Sequence, residues 1–224
     1  MSDLTRYGFR DAFAGFFEFP TENARRILPR HLEPAELHHG SSIFSMTCFD
    51  FTESEVGPYH EVVMAVIVAP LVKPGEKLPK AAFYPYQVAT TTRASREHAI
   101  QRWHLPHWMD DVAVSLERQG RSVTARVEAE GTLAAELTVT DYQWEPASHL
   151  FQAFMKDDAG AYLASMTLEG THSEHEEETG RLVLHDHPFN RDLMLSEIYE
   201  QPFREMWMRD GMQTFQPLRT LQAA

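Results

Sequence analysis

Cysteine, lysine and nucleotide-binding motifs are scarce in this 224-residue sequence, and each scarcity removes a class of protein. Cys48 is the only cysteine, so an intrachain disulfide is impossible and a reducing compartment is expected. There is no Gly-rich phosphate loop, no Gly-x-Ser-x-Gly elbow and no dinucleotide fingerprint, so we expect no nucleotide and no other cofactor. The side-chain amines are limited to four lysines, all expected in exposed turns or loops: Lys73, Lys77, Lys80 and Lys156.

Excess positive charge and long apolar runs are also missing. The formal net charge is −13, which argues against a nucleic-acid partner and against binding to an anionic membrane surface. The longest apolar run, Val62 to Val72, is interrupted by Pro70 and is too short to span a bilayer. The segment from Met1 to Arg6 lacks the basic and apolar regions of a signal peptide. We therefore expect a cytoplasmic protein with no membrane partner.

Hydrophobic residues make up 43% of the chain, enough for one sizeable core, and we expect a single domain over residues 1–224. The spacing of apolar residues predicts a helix over Thr92 to Trp103 and a final helix over Asn190 to Glu200. Short strands separated by turn residues are predicted elsewhere, the clearest being Ser42–Phe49, Val62–Val68, Ala82–Thr91, Val112–Glu117, Ser122–Glu130, Thr132–Thr140, Tyr162–Thr171 and Arg181–His187. The pattern predicts a mainly β (α+β) protein, an antiparallel β-barrel with a few packed helices.

Glu61 is the most informative polar residue because it lies between a turn and a strand that is apolar on both faces. The turn Gly57-Pro58-Tyr59-His60 precedes it, and the run from Val62 to Val68 follows without polar alternation. A carboxylate at the edge of a water-poor interior is costly to ionise, so its pKa tends to rise, which prepares it as a general acid or base. A carboxylate that caps the strand or pairs with an arginine for stability is the alternative interpretation.

Several segments in the first half of the chain resemble one enzyme family. Gly57 to Glu61 resembles the Gly-x-Tyr-x-Glu segment of acetoacetate decarboxylase and its relatives, enzymes that hold a keto acid as a Schiff base on a lysine. The segment from Leu28 to Pro34 resembles the family's Leu-Pro-x-x-Leu-x-Pro passage, and Ser95-Arg96-Glu97 resembles its Gly-Arg-Glu segment. The resemblance runs from Tyr7 to about Val127. It implies an acetoacetate decarboxylase-like barrel that forms homo-oligomers, with Glu61 as active-site glutamate and Arg10 as an arginine that binds the substrate carboxylate.

The segment that should supply the Schiff-base lysine departs from the family pattern. The family's Pro-Lys-Lys corresponds to Pro106-His107-Trp108, and neither imidazole nor indole can form an imine. A second glutamate of the family corresponds to Phe44. The resemblance therefore implies a divergent member without the Pro-Lys-Lys motif, in which His107 takes the place of the amine and can act as a base. The residues expected to line the pocket are Arg10, Tyr59, Tyr84, Tyr86, Trp108 and Phe44.

These features predict a protein that binds a small keto or carboxylic acid, with Glu61, His107 and Arg10 as catalytic residues. Without an imine, the expected chemistry is that of a lyase-like acid/base enzyme: enolisation, an aldol-type reaction, dehydration or hydrolysis. Two alternatives stay open. One is a catalytically inactive small-molecule-binding protein, and the other is a true decarboxylase that uses a relocated lysine, chiefly Lys80.

The 12 histidines require a separate test for metal binding. His185-Asp186-His187 on a strand would place both imidazoles on one face, and the acidic segment His172 to Glu176 offers mixed ligands. Neither matches a strong zinc signature such as His-Glu-x-x-His on a helix. We therefore expect no metal site, with a metal-dependent enzyme that uses His185 and His187 as a third alternative.

Overall fold

Strands dominate the computed structural model, which describes residues 4–221. The two α-helices are α1 (Thr21–Ile27) and α2 (Arg93–Trp103), and short 3-10 helices occur at Pro188–Asn190 and Leu195–Glu197. The strands are β1 (Thr5–Pro20), β2 (Glu36–His38), β3 (Ser41–Glu53), β4 (Tyr59–Val68), β5 (Ala81–Thr90), β6 (Val112–Gln119), β7 (Ser122–Ala129), β8 (Thr132–Thr140), β9 (Glu145–Lys156), β10 (Ala161–His175), β11 (Arg181–Leu184), β12 (Arg204–Phe215) and β13 (Arg219–Leu221).

The larger sheet closes on itself as a barrel. Its strand order is β1-β12-β10-β9-β5-β4-β3, and β3 pairs again with β1, so the circuit is complete. Every seam is antiparallel except β5 with β9, which is parallel over Ala81–Phe83. Closure leaves these strands without free edges. The antiparallel-barrel prediction is therefore confirmed.

Three barrel strands are buried on both faces because a second sheet covers them from outside. That sheet has the order β11-β8-β7-β6 and includes the predicted meander. Val123 and Leu137 of the meander are fully buried in one core with Phe13 of β1, Met46 of β3 and Val62 of β4. Burial on both faces explains why Val62 to Val68 has no polar alternation.

A buried carboxylate joins the barrel to the covering sheet. Asp11 on β1 is 3% exposed and accepts hydrogen bonds from the Arg118 guanidinium of β6 and from the Trp207 indole of β12. Charge-assisted hydrogen bonds of this kind are stronger than neutral ones, and they fix the relative position of three strands.

Helix α2 lies across one end of the barrel. The Thr92 hydroxyl accepts a hydrogen bond from the Ser95 backbone at its N-terminus, and the helix ends at His104, which has a left-handed φ of 54°. Trp103 stacks on Phe215 of β12 with ring centroids 4.3 Å apart. The predicted helix is thus present, with Ser95, Ala99 and Trp103 as its buried face.

The final helix predicted over Asn190 to Glu200 is wrong. Two 3-10 turns occur there instead, and the Asn190 amide donates to the carbonyls of Ala134 and His185 rather than capping a helix. These tertiary hydrogen bonds compete with a local cap. Within residues 4–221, the helices are all too short or too polar to cross a membrane.

Candidate functional site

The barrel encloses a cavity of about 140 Å³ whose wall is mostly apolar. Inward-facing residues alternate along each strand, as the pleat requires. On β1 they include Ala12, Ala14 and Phe16, whereas Phe17 packs in the core that β1 shares with the covering sheet. Aromatic and methionine side chains supply much of the wall, for example Phe49, Phe51, Phe83, Phe151, Met206 and Met208. The cavity is therefore a low-dielectric environment in which an unpaired polar or charged group is energetically costly.

Glu61 is the carboxylate that lines this cavity. It lies on β4 between Phe49 of β3 and Thr90 of β5, and within residues 4–221 its carboxyl group has no hydrogen-bond or ion-pair partner. Glu61 is only partly buried by surface area because it borders the cavity, yet protein atoms surround its carboxyl group. Burial raises the pKa of Glu61 to about 8. The side chain is therefore mostly protonated at pH 7, and a small change in its surroundings would ionise it.

Two tyrosines accompany Glu61 along the cavity wall. Burial, reinforced by the nearby Glu61 carboxylate, raises the pKa of Tyr59 well above its ordinary range, and the hydroxyl of this residue has no hydrogen-bond partner among residues 4–221. Burial likewise raises the pKa of Tyr7, an effect that the hydrogen bond from Trp103 partly opposes. Both phenols are therefore neutral hydrogen-bond donors at pH 7.

A hydrogen-bonded chain connects the cavity wall with helix α2. The Trp103 indole donates to the Tyr7 hydroxyl at 2.8 Å, and that hydroxyl lies 2.6 Å from Nε2 of His98. Burial lowers the pKa of His98, so its ring is neutral and Nε2 can accept the Tyr7 proton. When Nε2 of His98 accepts the Tyr7 proton, that proton is not available to a ligand, whereas the Tyr59 hydroxyl and the Glu61 carboxyl group remain free to donate to one.

Of the residues predicted for the site, the structure brings Glu61 and Tyr59 together and places Arg10 elsewhere. Arg10 is 60% exposed and lies 3.5 Å from Asp50 on the outside of the barrel. The pairing register of β1 shifts between Phe9 and Asp11, and such a bulge redirects the side chain within it. Arg10 was predicted to bind the substrate carboxylate in the pocket, and the structure places its side chain away from the cavity that Glu61 lines.

His107 also lies outside the cavity. Its Nδ1 is 2.6 Å from the Trp108 carbonyl, and its Nε2 is 3.2 Å from the Thr90 hydroxyl. Burial lowers the pKa of His107, so the ring is neutral at pH 7. The expectation that His107 stands in the pocket in place of an amine is not met by its position beside β5.

The four remaining predicted lining residues face the core between the two sheets. Phe44 is fully buried there, and its ring centroid is 6.4 Å from that of Tyr86. Tyr84 and Trp108 pack against the same core. For the three strand residues the physical reason is parity: Thr47 and Phe49 of β3 and Phe83 and Pro85 of β5 point inward, so Phe44, Tyr84 and Tyr86 point outward. Trp108 lies in the segment between α2 and β6. The structure therefore places these four side chains outside the cavity wall.

Sequence reasoning missed Tyr7, His98 and Trp103. Tyr7 and Trp103 are 96 positions apart, so no local pattern joins them. The available signal was the helical spacing of Ala99 and Trp103, which are four positions apart on the face of α2 that meets the barrel, with His98 beside them.

A second polar group lies toward the other end of the barrel. His172 of β10 lines the cavity, and His149 of β9 and Glu174 of β10 are its neighbours. Lys80 donates to the Glu174 carboxylate at 2.5 Å and is not part of the cavity wall. The Lys80 amine is therefore not placed to form an imine with a ligand in the cavity.

Comparison with known proteins identifies the architecture. No family model and no curated protein matches the chain. Acetoacetate decarboxylase from Legionella pneumophila subsp. pneumophila str. Philadelphia 1 matches with a TM-score of 0.68 at 15% identity, over 99% of this chain and 88% of that one. The fold is acetoacetate decarboxylase-like.

Two further structures share this acetoacetate decarboxylase-like fold. The enduracididine biosynthesis enzyme MppR matches with a TM-score of 0.63 at 11% identity, over 99% of this chain and 89% of that one. An acetoacetate decarboxylase-like enzyme from Sphingomonas wittichii RW1 matches with a TM-score of 0.62 at 12% identity, over 100% and 95% of the two chains. The likeness extends past Val127, where the sequence resemblance ends, and it concerns the fold. Chemistry must be argued from the cavity itself.

Proposed function

We propose that this acetoacetate decarboxylase-like protein binds a small, mostly apolar carbonyl compound in its barrel and exchanges a proton with it through Glu61. The observation that carries the proposal is the unpaired Glu61 carboxyl group, whose pKa of about 8 lies near physiological pH in an otherwise apolar cavity. A general acid or base works best when its pKa is close to the working pH. The proposal keeps the acid/base class expected from the sequence and revises its ligand.

The size of the cavity supports a small ligand. Its volume of about 140 Å³ is close to the roughly 150 Å³ of an apolar cavity that accommodates benzene. Ligands in enclosed apolar sites bind mainly through their apolar surface, and a few polar groups orient them. Tyr59 and Glu61 supply such groups at one place on the wall.

The charge of the cavity supports a neutral ligand. Among residues 4–221, neither an arginine nor a lysine lines the cavity, so the anion of a keto or carboxylic acid would have no cationic partner there. A buried unpaired anion is strongly disfavoured. MppR has been described in complex with pyruvate and with the condensation product of pyruvate and imidazole 4-carboxaldehyde, which supports carbonyl chemistry in this fold. For this chain we propose a neutral ketone or aldehyde.

Enolisation is the reaction that these groups can perform. The ionised Glu61 carboxylate takes a proton from the carbon next to the carbonyl, and the C–H electrons form the enolate. The Tyr59 hydroxyl donates a hydrogen bond to the developing enolate oxygen, where negative charge accumulates. Protonated Glu61 then returns the proton to carbon. Aldol-type steps and dehydrations begin with the same enolate, whereas an imine requires an amine that the cavity wall does not contain.

A non-catalytic binding protein is the second candidate. It is favoured by the largely apolar wall and by the hydrogen bonds among Tyr7, His98 and Trp103, which leave few groups free for chemistry. A cavity of this kind can retain an apolar ligand without changing it.

Hydrogen exchange into a neutral ketone separates the two candidates. Acetophenone in D₂O loses its methyl proton signal when it enolises, and we expect the wild-type protein to accelerate this loss. Glu61→Gln should reduce the acceleration about 100-fold or more, the usual contribution of a positioned base. Glu117→Gln is the control, because Glu117 is exposed on the covering sheet.

Equal exchange with wild-type protein and with Glu61→Gln would refute the catalytic role of Glu61. Tight binding of acetophenone without exchange by the wild-type protein would favour the binding protein. Tight binding of pyruvate or acetoacetate in preference to acetophenone would refute the neutral-ligand assignment.

A further inference from the structure

Three potential metal ligands converge away from Glu61, near the beginning of β9 and the end of β10. His172 and Glu174 are two residues apart on β10 and therefore lie on the same face of the strand. His149 reaches them from β9. One nitrogen or oxygen of each of the three side chains lies within 4.8 Å of the others.

The separations between individual atoms come close to those of a small coordination sphere. Nε2 of His172 is 3.9 Å from Oε2 of Glu174, and Nε2 of His149 lies 3.4 Å from the other ring nitrogen of His172, Nδ1. Zinc binds histidine nitrogen at about 2.0–2.1 Å, so adjacent ligands in a tetrahedral site are about 3.4 Å apart. A metal on Nε2 of His172 therefore requires Glu174 to approach by about half an ångström and the His149 ring to turn from Nδ1 toward Nε2.

The His172 ring contains an independent indication of a missing partner. The residue is 4% exposed, and its Nε2 is buried without a hydrogen-bond partner. Buried polar atoms in native proteins are almost always paired, and each exception calls for a partner such as a water or an ion.

We propose that His149, His172 and Glu174 bind a divalent transition-metal ion of the zinc class. Two imidazoles and one carboxylate are the protein ligands typical of a zinc site that retains an open position. His172 borders the same cavity as Glu61, so the open position would be within reach of a cavity ligand. This site goes beyond the proposed function, because proton exchange at Glu61 requires no metal.

Lys80 is the internal competitor for this metal. Its ammonium group occupies Oε2 of Glu174 at 2.5 Å, and Arg204 lies 3.6 Å from the other carboxylate oxygen. The Lys80 side chain is 26% exposed and can turn toward solvent when a divalent cation takes its place. Removal of the lysine charge should therefore strengthen metal binding.

Zinc titration of the chelator-treated protein tests this site without any substrate. Competition against a chromogenic chelator should give one equivalent of bound zinc, and cobalt substitution should give the visible absorption of a low-symmetry site. His149→Gln and His172→Ala should each weaken binding about tenfold or more, as loss of one ligand does. Lys80→Met should strengthen binding severalfold. His31→Ala is the control, because His31 is exposed in a loop.

His149→Gln guards against a folding artefact, since His149 is only partly buried and its variant should fold even if His172→Ala does not. Less than half an equivalent of zinc at micromolar concentrations would overturn the proposal. Binding that persists in His149→Gln and disappears in His185→Ala would also overturn it. Because no ketone is present, failure here leaves proton exchange by Glu61 unaffected.

Discussion

The Trp103 indole donates a hydrogen bond to the Tyr7 hydroxyl at 2.8 Å across 96 residues of sequence. The bond joins the last turn of α2 to the first strand of the barrel, and the same hydroxyl lies 2.6 Å from His98. Because both ends of this chain of bonds border the cavity, it fixes the helix over the barrel and sets the orientation of the cavity wall.

We expect Tyr7→Phe to destabilise the protein by about 1–3 kcal/mol. The substitution leaves the Trp103 indole and the His98 ring without their shared partner in a buried environment, and unsatisfied buried polar groups carry that cost. Urea unfolding of the two proteins measures the difference. Tyr199→Phe removes an exposed hydroxyl and is the matched control. A loss no larger than that of the control would contradict the structural role of the network.

Glu61 should make the protein less stable as pH rises. Its pKa is about 8 in the folded state and about 4.3 in an unfolded chain, so between these values the folded state binds more protons. The free energy of unfolding therefore falls with increasing pH through this interval, by on the order of 3 kcal/mol between pH 5 and pH 8. Urea unfolding of wild type and Glu61→Gln at several pH values measures the effect, and the variant should lack this part of the slope.

Glu117→Gln should retain the wild-type slope, since its carboxylate is exposed. Identical slopes in wild type and Glu61→Gln would contradict the raised pKa. If Glu61 is the base for ketone exchange, the exchange rate should rise with pH toward a plateau above pH 8, opposite in direction to the stability.

Arg10→Ala and His107→Ala should leave acetophenone binding unchanged. Arg10 lies on the outside of the barrel beside Asp50, and His107 lies beside β5 with its ring nitrogens next to Trp108 and Thr90. Neither side chain borders the cavity. Fluorescence or calorimetric titration measures the affinity. A marked loss of affinity in Arg10→Ala would show that Arg10 reaches the cavity.

Glu205→Gln should be among the most destabilising single substitutions in the described chain, by about 3 kcal/mol. The Glu205 side chain is fully buried, and its two oxygens accept backbone N–H groups from Thr140, Thr179 and Gly180. An amide would present N–H donors to N–H donors. Thermal and urea unfolding measure the loss, with the exposed Glu177→Gln as control. Wild-type stability in Glu205→Gln would show that the backbone around Thr140, Thr179 and Gly180 does not depend on this carboxylate.

The sequence predicted the barrel because strand and turn signals are local. Val62 to Val68 was correctly interpreted as a strand covered on both faces, and Glu61 next to it does line the cavity. These conclusions require only the spacing of apolar residues and the cost of burying a carboxylate.

The rest of the site depends on information that the sequence does not carry locally. Phe44 and Tyr86 were expected in the cavity, but they pack in the core between the two sheets. Which strand residues point into the barrel depends on the pairing register of the strands, which the local sequence does not determine. The direction of the Arg10 side chain depends on a β-bulge between Phe9 and Asp11, which the residues around Arg10 do not predict. The Tyr7–Trp103 bond is a long-range contact created by the fold.

The pairing of β1 with β12 has a consequence for synthesis. One barrel wall joins the first described strand to one that begins at Arg204, so the circuit stays open until β12 has also left the ribosome. Until then the backbone edge of β1 that pairs with β12 lacks its partner strand, and unpaired edges favour association with other chains. A protein with this connectivity should fold slowly and depend on chaperones during translation.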